Sequence, residues 1–227
     1  MPLSFVGGTD GAAADGGPVT LDLTALTGGS DSSPQTGDVV YVVLGALDSD
    51  GIEDLTLATS GYTVVGGASD PDWHTRVFRK IMGSTPDTDV VSYTASSSVA
   101  LSMACHVWRG ADQTTPEDAA ATTASAPSGS QPDCPSITTV TDGAVVLACA
   151  GAISSDAVHT PPSGYDNHFD NGASDSFDSS VSISSKVVSS AGAENPGAYA
   201  DWHTRWAAIT VAIRPAINLG RMFAVFP

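Results

Sequence analysis

Four carboxylates fall within the short stretch Asp48-Ser-Asp-Gly-Ile-Glu-Asp54. Carboxylates crowded around a glycine turn make the oxygen-rich setting a hard cation accepts, so Asp48, Asp50, Glu53 and Asp54 are the residues that would hold Ca²⁺ if the chain takes any cofactor. The loop lacks the alternating ligands and closing glutamate of an EF-hand, and a solvated hairpin turn is the plainer reading. A second acidic stretch, Asp166 to Asp178, mixes Asp166, Asp170, Asp175 and Asp178 with Asn, Gly and Ser and reads as an exposed loop. The pentapeptide Asp-Trp-His-Thr-Arg occurs twice, at Asp72 to Arg76 and at Asp201 to Arg205. At the start of a strand it sends Trp73 and Thr75 to one face, His74 and Arg76 to the other. Were both copies in one sheet, His74 and His203 with Asp72 and Asp201 could meet around a metal. The plainer expectation is two half-buried strand starts, each Trp covering an end of the core and each Arg paired to an Asp. His106 sits in an apolar run and reads as a core histidine, while His159 and His168 lie in loops without a metal spacing. Cys105, Cys134 and Cys149 form no motif and read as reduced, mostly buried thiols. There is no G-x-S-x-G elbow, P-loop or G-x-G-x-x-G, and no Cys/His nucleophile spacing, so any hydrolase here would have to use dispersed carboxylates.

The elements that must position these residues come from a chain of 227 residues with 25 acidic and 8 basic side chains, a formal charge of −17. Such a field repels phosphate backbones, which excludes nucleic acid as a partner. At 41% hydrophobic the chain can bury a core and is no disordered acidic tail. No apolar stretch approaches the roughly 18 residues of a membrane span, and the start, Met1 to Gly8, has neither the basic segment nor the apolar run of a secretory leader, so a soluble protein without membrane insertion is expected.

Runs rich in Val, Ile, Leu, Thr and Tyr, bounded by Gly, Pro, Ser and Asp, predict strands at Val39 to Leu47, Thr63 to Val65, His74 to Met82, Val90 to Tyr93, Val99 to Arg109, Ala144 to Ala150, Val181 to Val188 and His203 to Arg214. The chain also reads as duplicated. Gly37 to Leu44 is answered by Asp142 to Ala148, Ser60-Gly-Tyr62 by Ser163-Gly-Tyr165, and Phe78-Arg-Lys-Ile81 by Ser184-Ser-Lys-Val187. The turn at Gly83 to Pro86 is answered by Gly192 to Pro196, and Val107-Trp-Arg-Gly110 by Ala212-Ile-Arg-Pro215, all at an offset of about 105 residues. The expected fold is therefore all-β, an antiparallel β-sandwich, jelly-roll-like, built from two similar halves, with extended N- and C-terminal arms. Residues 1–35 are expected as an arm with a first edge strand and 36–216 as the sandwich. Its halves are 37–110 and 142–215, joined by a connector at 111–141, and residues 217–227 form an apolar anchor. In that last segment Ile217, Leu219, Met222, Phe223, Val225 and Phe226 cost free energy if left in water, at about 25 cal/mol per Å² of apolar surface, and are the expected partner-binding residues.

The Gly-Asp-led strand Gly37 to Leu44 and the Gly-Tyr-Thr station Gly61 to Thr63 are followed by the Arg-Lys strand Val77 to Ile81. A Trp-Arg-Gly-Ala-Asp corner at Trp108 to Asp112 precedes Pro116. A second leading strand at Thr141 to Ala150, Pro-Pro-Ser-Gly at Pro161 to Gly164 and the closing Ala212 to Ala216 complete the pattern. Over about residues 36 to 216 it resembles a β-sandwich module of tailed-bacteriophage structural proteins: minor tail, fibre and head decoration proteins. The resemblance implies a non-enzymatic virion component, a homo-oligomer or multi-copy protein whose partners are other virion structural proteins. The alternative is a glycan-binding module for host adsorption, with Trp73, Tyr165 and Trp202 as exposed aromatics against a host surface glycan.

Overall fold

The computed structural model describes residues 2–47, 55–70, 73–93, 99–126, 129–154, 159–174, 178–200 and 205–216. Every regular element among them is a strand, and the two main sheets are antiparallel. In the first half these are β1 (Ser4–Ala13), β2 (Thr20–Asp22), β3 (Val39–Leu47), β4 (Thr63–Ser69), β5 (Trp73–Ile81), β6 (Asp89–Val91) and β7 (Leu101–Arg109). The second half supplies β8 (Glu117–Ala126), β9 (Asp133–Cys134), β10 (Ile137–Thr138), β11 (Ala144–Ala152), β12 (Asp166–Ala173), β13 (Ser179–Val188), β14 (Ala193–Glu194), β15 (Gly197–Ala198) and β16 (Trp206–Ile213).

One sheet runs β1-β7-β3-β5-β4 and the other β8-β16-β11-β13-β12, which is the same order in each half. The registers agree as well. Val39 lies opposite Ile81 and Trp108, and its counterpart Val145 lies opposite Val187 and Ile213. Duplication is thus written in the backbone as well as in the sequence. A jelly roll shares its strands between two sheets, whereas here each half keeps its own sheet. The 111–141 connector is corrected: it contains β8, the edge strand that completes the second sheet, together with β9 and β10. Residues 1–35 supply the expected edge strand, β1, and the rest of that stretch packs on the body, with Val19, Leu21, Leu23 and Leu26 buried.

The sheets stack face to face with β1 over β12 and β4 over β8, as in two copies related by a two-fold axis. Side chains alternate along each central strand. Val39, Tyr41 and Val43 of β3 meet Val145, Leu147 and Cys149 of β11 in the shared interior. The intervening Val40, Val42 and Leu44 point outward under Leu21, Leu23, Leu55 and Val90, and Val146, Ala148 and Ala150 point outward under Cys134, Ile137, Tyr165 and Tyr199. The outer covers are stitched by short ladders, β2 with β6, β9 with β15 and β10 with β14. The central strands are therefore buried on both faces, which is why β3, β7, β11 and β16 read as nearly unbroken apolar runs.

Candidate functional site

The antiparallel topology sorts the strand ends into two poles. Ser4, Val39, Ile81, Arg109, Glu117, Ala144, Val188 and Ile213 lie at the first; Ala13, Leu47, Trp73, Leu101, Ala126, Ala152, Ser179 and Trp206 lie at the second. At the first pole the described start and end of the chain come together. Pro2 and Leu3 line a groove of about 380 Å³ with Thr141, Gly143, Val187, Pro215 and Ala216. A second groove, of about 330 Å³, shares Ala216 as its wall and is bounded by Gly37, Arg109, Gly110 and Gln113. The exit of the chain is fixed between them. Pro215 bridges Ala111, Ala216 N–H donates to Gly110 O at 2.8 Å, and Arg214 N–H donates to Pro116 O at 2.7 Å.

Charge at this pole is paired. Arg109 donates two hydrogen bonds of 2.9 Å to buried Asp38, and its equivalent Arg214 reaches buried Asp118 at 3.2 Å. Burial drives the Asp118 carboxyl upward. The bonds from Thr141, from Val140 N–H at 2.6 Å and from Arg214 outweigh that effect and hold it below the ordinary carboxylate value. The same station recurs in each half: Lys80 sits on Asp87 at 2.6 Å and over the Tyr62 ring, and Lys186 sits on Glu194 at 2.8 Å and over the Tyr165 ring. Arg79 pairs with Glu117 at 3.0 Å, and Glu117 accepts the buried Tyr41 hydroxyl at 3.2 Å. Two of the three large apolar side chains that are well exposed among the described residues, Val187 at 59% and Val140 at 64%, also lie here.

At the second pole Trp73 does what its position in the pentapeptide predicts and more. Its indole lies between Gly45 of β3 and Gly151 of β11, one from each sheet, and donates to Thr75 Oγ1 at 3.0 Å. His74 and Arg76 turn to the opposite side, where Arg76 donates to Leu55 O at 3.0 Å. Arg205 of the second copy lies 3.8 Å from Asp70, the expected pairing of Arg with Asp. Asp72, Asp201 and His203, which would complete a metal site with His74, are outside the described residues, as are Asp48, Asp50, Glu53 and Asp54 of the cation loop and Trp202. Among the described residues no cluster of His, Cys, Asp or Glu is arranged to hold a metal. Trp73 is 0% exposed and Tyr165 is 4% exposed, so the expected aromatic platform is corrected: both rings fill cores and neither faces solvent. The anchor residues Ile217, Leu219, Met222, Phe223, Val225 and Phe226 follow directly on Ala216 and are also outside the described residues.

The remaining reactive groups are enclosed. Cys105, Cys134 and Cys149 are free and buried; burial pushes the Cys105 thiol up to about 12 and raises the other two further above the usual thiol range. His106 is fully enclosed by Phe5, Trp108 and Phe169, and Nε2 lies 2.7 Å from Asn167 O. Burial lowers its pKa to about 3, so the ring is neutral, with Nε2 donating to the carbonyl. The acidic stretch at Asp166, expected as a loop, is instead the edge strand β12, with Phe169 turned inward and Asn171 donating to Asp10 of β1 at 2.7 Å. Sequence reasoning missed the convergence of Pro2, Leu3, Thr141 and Val187, residues far apart in the chain and of no distinctive type.

Compared with protein-family models, with curated proteins and with solved structures, the chain matches none.

Proposed function

We propose that this chain is a non-enzymatic structural protein of a tailed-phage particle, a head decoration or tail and fibre component localised to the virion. It is held to other virion subunits through its first pole and the C-terminal segment. The observation that carries this reading is the meeting of both described chain ends at one apolar, charge-paired pole, with the apolar residues 217–227 leaving from it. Other routes of association are blunted. The outer faces of both sheets are covered by the chain's own segments, and each of the four edge strands carries a register shift, whereas the ladders between central strands carry none. Bulged edges resist pairing with another chain. A charge of −17 keeps the exposed surface soluble and off a packaged genome. The sandwich resemblance supplies the class of assembly. Mass spectrometry and antibody labelling of purified particles test it: the chain is expected in many copies at one location on the particle. Particles that lack it contradict the proposal.

A further inference from the structure

The groove at the first pole has an apolar wall that no described residue covers, and a chain end of matching chemistry follows on from it. Leu3, Pro2, Pro215 and Ala216 line it, Val187 is 59% exposed in it, and Val140, 64% exposed, adjoins it at Thr141. Residues 217–227 begin where that wall ends and contain six large apolar side chains and one charge, Arg221. Asp142, also in the groove, supplies the opposite charge.

We infer that this groove is the seat of residues 217–227 of a second copy of the chain, exchanged reciprocally so that two copies join first pole to first pole. The inference rests on the reading of the C-terminal segment as an attachment device and specifies its partner. Three observations favour a second copy. Ala216 is itself a wall of the groove, so a segment returning to its own groove would spend about four residues on reversing direction. A segment crossing from a facing copy keeps its whole length for contact. Across a two-fold axis each segment starts beside the other copy's groove, which is the geometry of a reciprocal swap. Charge favours this pole as well. Arg79, Lys80, Arg109, Lys186 and Arg214, five of the eight basic side chains, lie here and pair with Glu117, Asp87, Asp38, Glu194 and Asp118, so two chains of like charge repel less when they meet by this end. The groove and the segment together bring about twenty residues per copy to the contact, the number carried by each side of an interface of standard size.

Sedimentation equilibrium on the purified full chain is expected to give twice the chain mass. Ending the chain after Ala216, or Val187→Glu in the groove, should each weaken association on the order of tenfold or more, while circular dichroism stays that of a β-sandwich. Mixing a Val187→Cys variant with a separate Met222→Cys variant under oxidation should give a disulfide-linked pair, since the native thiols are buried. A monomeric full chain, or an intrachain disulfide in the doubly substituted protein without linked pairs in the mixture, overturns the inference. Association that survives both the truncation and Val187→Glu overturns it too. These readouts use purified protein, so a dimer absent from particles defeats the virion reading alone. A monomer present in particles defeats the exchange alone.

Discussion

Trp73 shows how one side chain can set the spacing of two sheets. A Cβ added at Gly45 would come within 2.6 Å of Val181 and 2.9 Å of the Trp73 ring, and Gly151 faces the same indole from the other sheet. The ring thus fills a gap opened by equivalent glycines in β3 and β11. Trp73→Ala should cost about 3–5 kcal/mol through the cavity it leaves, and Gly45→Val about 1–3 kcal/mol through overpacking, both measured by urea unfolding. Costs near zero would place the ring outside the core. His106 makes a prediction in pH. Its folded pKa of about 3 lies below the unfolded value of about 6.5, so the unfolded chain binds the proton more readily. Its contribution to stability is complete above about pH 6.5 and declines by about 1.4 kcal/mol per pH unit as pH falls toward 3. Between pH 6.5 and 4.5 the native chain should therefore lose about 2–3 kcal/mol more than His106→Gln. The Asp118 carboxyl is likewise held below its ordinary value, and its stabilisation is lost only at lower pH, as that carboxyl protonates. Equal losses in the native chain and the variant would mean that His106 binds its proton equally well in the folded and the unfolded chain.

Among the elements, the edges differ from the centre in a way that governs both assembly and legibility. β1 shifts register between Phe5 and Gly7, β4 between Val64 and Gly66, β12 between Asp166 and Phe169, and β8 opposite Thr210 to Ile213. Deleting Val65 would straighten β4 and free its edge. The variant should keep its β circular dichroism and scatter light at concentrations where the parent does not; equal solubility would show that the bulge has no protective role. The same edges were the part of the fold hardest to read. β3 matches its expected span, and β5, β7, β11, β13 and β16 were all found within a few residues, because strands buried on both faces carry long apolar runs. β8, largely Ala, Thr and Ser, reads from its sequence as a connector, and β12, rich in Asp and Asn, as a loop. Their weak apolar signal follows from half-exposed edges packed through small residues. Trp73 was legible as a core-end residue from strand alternation, but its burial and that of Tyr165 depend on covers contributed from far along the chain, which no local pattern encodes. The groove at the first pole was invisible for the same reason; only the apolar end that leaves it could be read.

For the whole molecule, the equivalent strand orders, the shared interior and the two poles describe a pseudo-dimer within one chain. Each half supplies one wall of the central core, with Val39, Tyr41 and Val43 on one side and Val145, Leu147 and Cys149 on the other. Neither half can bury that face alone. Residues 1–110 and 111–216 made separately should lack cooperative thermal unfolding, and mixing them should restore it; a cooperative transition in either half alone would show two independent domains. The second pole ends in strands followed by acidic sequence, Asp48 to Asp54 after β3 and Asp201 before β16, opposite the end from which the apolar segment leaves. This polarity is what the proposed role requires: one end attaches and the other stays in solvent. The most direct measurement is the incorporation of a chain ended after Ala216 into particles, compared with the full chain. The account predicts that the shortened protein folds normally yet is lost from particles, and normal incorporation of the shortened protein would contradict it.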